Sequence, residues 1–398
     1  MQILYSFESS LFYIMYGVYL ADVILSESNY CNINGIGKIL FLMRILVTLG
    51  MLGIIFLNKK IDIYKLIYSF CFAIFLILSI IIKQNGISLV FMLLIVIASK
   101  NKSLEKIFKI TIKATLFTYC FVYLSSLLGI IENTIVTRQL EVSFWSGEYQ
   151  RVSMGFFNAN QVPLTVLYLF FMYIVQKKDK IKYYEIFLIL IVGLYVYEKC
   201  NARTPLLLLV LTCFMYVIMK NIKTVYIFNK RSSIYRYLWV FIFPMCTIIS
   251  FLLAAFYSKN SGIMQLLDAI FNHRISLAHD ALFYYGIGIL GHGKNAGTYA
   301  GKLADNTVDN GYIVTFIQSG IIIGIGIILM WAILTWLSIK YENKYILLIL
   351  LMIAIANLID CQFLSYRTLP FYCILFNEKD SFLEYYKNSL CIKLMSET

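Results

Sequence analysis

The stretch IIIGIGIILMWAILTW, residues 321–336, contains no charged side chain and is long enough to cross most of a lipid bilayer as a helix. Similar uncharged apolar runs occupy residues 66–82 and 114–131. About 20 such residues span the roughly 30 Å of hydrocarbon, because an α-helix rises about 1.5 Å per residue. Their hydrophobicity extends around most of the helix, which is typical of helices surrounded by lipid.

The composition of the 398-residue chain favours the same architecture. Hydrophobic residues make up 61% of the chain and charged residues 14%, whereas a soluble domain has roughly a half and a quarter. A transmembrane β-barrel would need short strands of alternating polarity, and the sequence shows no such pattern. The first 25 residues lack a basic n-region and a small-residue cleavage motif, so we expect a retained first span. The sequence therefore predicts an all-α integral membrane protein.

Apolar windows predict about 12 transmembrane helices in a single polytopic domain that covers residues 1–398. Their expected limits are 6–25, 39–57, 65–82, 86–99, 114–131, 161–176, 183–198, 204–219, 237–257, 312–338, 345–360 and 362–376.

The distribution of positive charge predicts the orientation. The net charge is +13, and 22 of the 34 lysine and arginine residues fall in alternate loops and the C-terminal tail. The positive-inside rule explains this bias without nucleic-acid binding and places both termini in the cytoplasm. Two long loops, about residues 132–160 and 258–311, then face outward. Because long loops usually carry function, we expect the working surface on the outer side.

Metal and cofactor motifs are missing from the sequence. The nine cysteines form no C-x-x-C pair, and most lie within apolar runs, so we interpret them as packing residues. The three histidines are dispersed, and there is no HExxH, P-loop or D-x-D motif. We therefore expect no metal and no cofactor, which argues against a metal-dependent enzyme that uses nucleotide sugars.

Polar residues gather where the predicted outer loops meet the spans. Helix N-termini carry partial positive charge and unpaired N–H groups, and the guanidinium fork of arginine matches phosphate oxygens. Together they predict a site for phosphate or pyrophosphate. The residues expected to bind pyrophosphate or substrate are Arg203, Arg274, Arg151, Asn160 and Asn310.

Two residues of the second long loop are candidates for accepting a proton. Asp309 is the first candidate and His292 the second, since a carboxylate or an imidazole can act as a general base. Each has a structural alternative: Asp309 as the N-cap of the span at 312–338, and His292 as a turn residue between glycines. Arg44 lies inside the second span, where it must face a partner or a cavity, or extend to the membrane surface.

Three segments resemble the O-antigen polymerase and ligase superfamily, and in particular the Wzy-type polymerases of capsular and exopolysaccharide synthesis. Residues 151–160, RVSMGFFNAN, are similar to an R-x-x-x-G-F-x-N-x-N element, and residues 201–204, NART, resemble an S-R-[TG] element. Asp309 and Asn310, separated from Gly320 by nine residues, resemble an [HD]-N-x9-G element. Ligases carry His where this chain has Asp309, which favours the polymerases. The R-x10-G element of polymerases is matched only approximately, because Gly286 lies one residue too far from Arg274.

The resemblance implies a metal-independent, GT-C-like glycosyltransferase in the bacterial cytoplasmic membrane. It would join undecaprenyl-pyrophosphate-linked oligosaccharide repeat units on the outer face, with Asp309 or His292 as base and arginines on the pyrophosphate. A flippase and a chain-length regulator are the partners implied. Two alternatives stay open: a ligase that transfers finished glycan to another acceptor, and a flippase or transporter for the lipid-linked glycan.

Overall fold

The computed structural model of the chain describes residues 2–57, 88–139, 148–222, 237–271, 273–293, 308–377, 380 and 382–383. Helices dominate, with 76% of the structure helical. In chain order the elements are α1 (Gln2–Ser26), α2 (Ile36–Leu57), α3 (Ser88–Ala98), α4 (Leu104–Leu127), β1 (Ile135–Gln139), β2 (Glu148–Val152), α5 (Gln161–Lys177), α6 (Tyr183–Cys200), α7 (Arg203–Asn221), α8 (Ile242–Ala255), α9 (Gly262–Ile270), α10 (Arg274–Tyr285), α11 (Gly311–Lys340), α12 (Lys344–Ile359) and α13 (Leu369–Tyr372).

Several helices are long and apolar enough to cross a membrane. Five such segments occur among the described residues, within α1, α2, α4, α7 and α11. Two shorter apolar helices, Trp239–Ala255 and Lys344–Ile359, accompany them. Large apolar side chains cover their outer surfaces; Phe56 on α2 is 83% exposed and Phe117 on α4 is 75% exposed. Such surfaces suit lipid far better than water, so the chain is a predominantly helical, membrane-embedded protein.

The predicted spans agree with the helices to different degrees. Most predicted spans coincide with a helix of the structure, although α5 has only 17 residues and α3 only 11. The predicted span at 65–82 lies outside the described residues. The prediction of a span over 362–376 is wrong: this segment forms turns, the four-residue helix α13 and a 3-10 turn. Pro370 is the second residue of α13, and Arg367 just before this helix is buried with hydrogen bonds to Gln362 and Ser365.

The described residues form two compact units. The first comprises Met1–Lys59 and Asn101–Ile222, and the second comprises Lys60–Lys100 and Lys223–Thr398. In the first unit α1 packs on α2 and α4, and α5 packs on α4, α6 and α7. The strands β1 and β2, which the sequence did not predict, form an antiparallel hairpin within the predicted loop at 132–160.

An ion pair joins two helices of the first unit. Arg44 Nε lies 2.8 Å from Asp22 Oδ2, and Arg44 Nη2 also donates to the hydroxyl of Ser26. The Asp22 side chain is only 1% exposed, so the aspartate compensates an arginine in the middle of an apolar helix. Of the alternatives that the sequence left open for Arg44, the structure shows a partner, Asp22.

The second unit is organised around α11. This helix packs on α8, α10 and α12, and its buried side chains join a core cluster that includes Ala278 and Ala281 of α10. At Gly320 the backbone of α11 leaves the helical conformation, with φ 86° and ψ 175°. The glycine-rich segment 286–293 lies against this break. The N-terminal end of α11, starting at Gly311, carries the residues of the candidate site.

Candidate functional site

An arginine and an aspartate meet at the N-terminal ends of α10 and α11. Arg274 is the first residue of α10, and Asp309 lies two residues before α11. The Nε and Nη2 atoms of Arg274 are each 3.3 Å from Asp309 Oδ2. These contacts are longer than a tight charge-assisted hydrogen bond. The side chains are 12% and 34% exposed, so the pair is partly open to a ligand.

The residue after Asp309 caps α11. Asn310 Oδ1 accepts hydrogen bonds from the backbone N–H groups of Tyr312, at 3.1 Å, and Ile313, at 3.2 Å. Its Nδ2 donates to the hydroxyl of Ser250 on α8. The structural alternative in which Asp309 is the N-cap is therefore wrong. Asn310, expected to bind substrate, has its side chain engaged in the cap, and the carboxylate of Asp309 faces Arg274 instead.

A second carboxylate lies beside this pair and was missed by the sequence analysis. Asp360 directly follows α12, and Gln362 Nε2 donates to its Oδ1 at 3.0 Å. The first residue of α11, Gly311, makes this close approach feasible: a Cβ there would lie 2.9 Å from the carbonyl oxygen of Asp360 and 2.7 Å from Asn357 Oδ1. The sequence does carry a signal for Asp360: this acidic residue stands at the end of an apolar span, as Asp309 stands at the start of one.

Charge at this cluster is balanced by two arginines. Burial raises the pKa of Asp360 to about 6, and the negative charge of Asp309 adds to the increase. Gln362, Arg274 and Arg367 oppose it. Arg367 Nη1 donates to Gln362 Oε1 at 3.2 Å, so a hydrogen-bonded bridge connects this arginine to Asp360. Two carboxylates and two guanidinium groups thus share one end of the second unit.

The start of α10 is fixed by Asp268 of α9. Asp268 Oδ1 accepts from the backbone N–H groups of Ile275, at 3.0 Å, and Ser276, at 2.9 Å. Its Oδ2 lies 3.3 Å from Nδ1 of His273. Burial opposes ionisation, but the hydrogen bonds from Ser276 and His273 lower the pKa of Asp268 below its usual value. This buried carboxylate therefore caps α10 and positions Arg274, a role that the sequence analysis did not identify.

His292 is not placed beside Asp309. Its backbone N–H donates to the carbonyl oxygen of Ile317 at 2.9 Å, and its imidazole is exposed. Ile317 lies eight residues beyond Asp309, which is about 12 Å along a helix axis. The structure therefore agrees with the turn-residue alternative for His292 and gives it no contact with the acid cluster among the described residues.

In the first unit, Arg151 and Asn160 hold two helices together. Arg151 is 8% exposed, and its Nε donates to the carbonyl oxygen of Cys200 at 2.9 Å. Its Nη2 donates to Asn160 Oδ1. The two residues thus fasten the start of α5 to the end of α6. Both were expected to bind pyrophosphate, but the structure engages their side chains with each other.

Arg203, in the same unit, has a different environment. It is the first residue of α7, follows the cap residue Ala202, and is exposed. It makes no hydrogen bond or ion pair with any residue that the structure describes. No side chain caps the first turn of α7. An exposed arginine at an uncapped helix N-terminus is well suited to an anion.

An apolar groove runs between α8 and α10. It is open and has a volume of about 560 Å³. On α10 the groove is lined by residues near the C-terminal end of the helix, whereas Arg274 is at its N-terminus. The groove is lined by Thr247, Ile248, Phe251, Leu252, Ala255, Leu282 and Phe283.

Comparisons of the chain with protein-family models, curated proteins and solved structures find no match. In the part of the chain that the structure describes, no three His, Cys, Asp or Glu residues are grouped as a metal site. The polymerase family suggested by the sequence motifs stays a prediction, and the geometry of Arg274, Asp309 and Asp360 is the basis for any functional argument.

Proposed function

We propose that the protein is a polysaccharide polymerase that joins undecaprenyl-pyrophosphate-linked oligosaccharide repeat units on the outer face of the bacterial cytoplasmic membrane. The observation that carries the proposal is the Arg274–Asp309 pair at the end of the apolar helix α11. The pair combines an anion-binding group with a proton acceptor, and the N-cap of α11 is Asn310, not Asp309. A lipid-linked sugar diphosphate would present both an anion and an anomeric carbon that a hydroxyl can attack, at the end of a membrane-spanning helix.

The reaction is a displacement at an anomeric carbon. A hydroxyl oxygen of one repeat unit forms a bond to the anomeric carbon of the growing glycan, and the carbon–oxygen bond to pyrophosphate breaks. The electron pair of that bond leaves with undecaprenyl pyrophosphate, and Asp309 accepts the hydroxyl proton. No metal or cofactor takes part in this scheme.

Substrate binding would rearrange the Arg274–Asp309 pair. A pyrophosphate carries more negative charge than one carboxylate and accepts both arms of a guanidinium. It would therefore compete with Asp309 for Arg274, whose Nε and Nη2 atoms lie 3.3 Å from Asp309 Oδ2. Arg274 would then stabilise the charge on the leaving group while Asp309 becomes available as a base.

Two further features support a lipid pyrophosphate as the substrate. In the first unit, exposed Arg203 at the N-terminus of α7 is a cationic group that suits an anion. The groove between α8 and α10 is apolar and suits an isoprenoid chain. Carboxylate and arginine side chains without an apolar groove would fit many soluble sugar phosphates, so the combination favours a lipid-linked substrate.

The ligase and the flippase are the competing functions. A ligase would use similar cationic groups but would pass finished glycan to a different acceptor. A flippase would move the substrate without breaking a bond and would not require Asp309 as a base.

Lipid-linked sugars from a strain that lacks the gene test the proposal. A polymerase deletion should accumulate single repeat units on the lipid carrier, and restoring the wild-type gene should restore polymer. Polymer stranded on the lipid would instead indicate a ligase, and repeat units confined to the cytoplasmic leaflet would indicate a flippase. Either result would overturn the proposal.

A further inference from the structure

Helix α9 exposes a narrow apolar stripe. Ile263, Leu266 and Ile270 are 74%, 63% and 67% exposed, respectively, and no described residue covers them. Their spacing of three and four residues places them on one side of the helix. The opposite side contains Asp268, which is 3% exposed. The polar residue Gln265 is also exposed, but it lies on the side of the helix that carries Asp268, away from the stripe.

The location of α9 in the chain indicates what covers this stripe. The preceding helix α8 packs on the candidate span α11 and exposes Ile248, Leu252 and Phe256 along its outer side. Only the polar segment 257–261, which includes exposed Lys259, separates α8 from α9. The exposed apolar side of a membrane-embedded helix is therefore followed along the chain, after one polar turn, by the apolar stripe of α9.

We propose that α9 lies in the membrane–water interface, with Ile263, Leu266 and Ile270 inserted between lipid chains. Short helices with one apolar face and a polar opposite face bind at this depth. Lys259 would extend its ammonium group toward lipid phosphates, as lysines at membrane boundaries do. The occupant of the apolar stripe is thus the bilayer itself.

The lipid-bound helix also sets the position of Arg274. Asp268 projects from the buried side of α9 and holds the first turn of α10 through the N–H groups of Ile275 and Ser276. A helix seated in the interface therefore fixes the start of α10 at the level of the lipid headgroups. This consequence rests on the proposed function, because it matters only for a substrate whose pyrophosphate lies at that level. The seating of α9 in the interface is independent of the proposed function.

Site-specific fluorescence in full-length protein tests the seating. An environment-sensitive fluorescent amino acid is introduced by amber suppression at Ile263, Leu266 or Ile270, and at Gln265 as the matched control. Each protein is reconstituted into phospholipid vesicles, with or without lipids brominated near the headgroup end of their chains. We expect blue-shifted emission and strong loss of fluorescence with brominated lipid at the three stripe positions, and much weaker effects at Gln265.

Two results would overturn the proposal. Quenching by aqueous iodide at the stripe positions, as strong as at Gln265, would show that α9 is in water. Protection from both iodide and brominated lipid would show that protein covers the stripe. Because the readout needs no polymer, it stands even where the proposed function fails. Leu266→Glu, compared with Gln265→Glu, then tests the consequence: only the former should reduce polymer at matched protein level, and equal polymer would remove the link to Arg274.

Discussion

Asp309 and Asn310 are chain neighbours whose side chains have separate tasks. Asn310 accepts two backbone hydrogen bonds at the start of α11, whereas Asp309 turns to Arg274. A cap affects the stability of a helix, and a base affects the rate of a reaction. Substitutions at the two positions should therefore affect different quantities, which makes the proposed role of Asp309 separable from structure.

Asp309→Asn keeps the shape of the side chain but removes its basicity. We expect thermal stability close to wild type and polymer formation reduced by a factor of about 10²–10⁴. Asp309→His should retain partial activity, because an imidazole can accept the proton. As a control, Asn310→Ala should lower stability by about 1 kcal/mol through loss of the cap. Wild-type polymer ladders from the Asp309→Asn protein would exclude it as the base.

Asp360 should make the stability of the fold depend on pH. Because burial raises its pKa from 3.8 to about 6, the folded protein keeps a proton that the unfolded chain releases. This stabilising contribution is complete below about pH 4 and is lost as the pH rises through about 6. We expect the thermal midpoint in detergent to fall by a few degrees between about pH 5 and 7, relative to Asp360→Asn. The histidines are the same in both proteins, so parallel profiles would contradict this assignment.

The break in α11 is the main irregularity at the scale of elements. In a regular helix the carbonyl oxygens of Ile317 and Gln318 would accept from the N–H groups four residues later. Here these carbonyl oxygens accept from the N–H groups of His292 and Gly293 instead, and the N–H group of Ile321 donates to the carbonyl oxygen of Gly288. An apolar helix that breaks without such partners would leave backbone groups unsatisfied, which is costly in lipid. The segment 286–293 thus satisfies the backbone groups that the break exposes in the helix that carries the candidate site.

Gly320→Ala should disrupt the backbone hydrogen bonds between the segment 286–293 and α11. Gly320 has φ 86°, and a Cβ there would lie 2.3 Å from the backbone nitrogen of Gly291. We expect a loss of at least about 1–3 kcal/mol in stability, measured by thermal unfolding in detergent. Gly53→Ala in α2 is the matched control, because a Cβ there meets nothing within 4 Å. Equal stability of the two variants would show that the close packing of the segment 286–293 against Gly320 does not contribute to stability.

Sequence patterns predicted helices better than the arrangement of side chains at their ends. Hydrophobic runs depend on composition alone, and they located α1 and α11 correctly, whereas α4 begins at Leu104, well before the predicted span at 114–131. The failure at 362–376 arose because buried Arg367 is held in a turn by hydrogen bonds to Gln362 and Ser365, and the apolar composition of the run does not show such contacts. Similarly, no local signal distinguishes Asn310 as the cap from Asp309, or shows that Asp268 reaches across to α10.

At the scale of the whole molecule, the orientation in the membrane rests on the charge bias of the loops. Lys106 and Lys180 belong to loops that the positive-inside rule assigns to the cytoplasm. Residues 147 and 295, expected on the outer side, and residue 231, expected inside, lie outside the described part of the chain. The proposed reaction requires the N-terminal end of α11 to face outward, so the orientation bears directly on function.

Accessibility reporters test this orientation. Cysteine or tag reporters at Lys106, Lys180 and Arg231 should be reached only from the cytoplasm, and those at Gly147 and Asn295 only from outside. A reporter at Glu342, in the turn after α11, should follow the cytoplasmic set as a control on α11 itself. External labelling at Lys106 and Arg231 would reverse the orientation and rule out polymerisation on the outer face.

The central claim is that this chain alone polymerises a lipid-linked repeat unit. The direct measurement uses purified protein in lipid nanodiscs with purified undecaprenyl-pyrophosphate-linked repeat unit, a chelator, and no nucleotide sugar. We predict a ladder of glycan multiples and released undecaprenyl pyrophosphate from the wild type. Arg274→Ala and Arg203→Ala should form no ladder, and the Arg→Lys variants should restore little of it, because a point charge lacks the bidentate fork. A folded wild-type protein that forms no ladder, or an Arg274→Ala protein that forms it at the wild-type rate, would contradict the account.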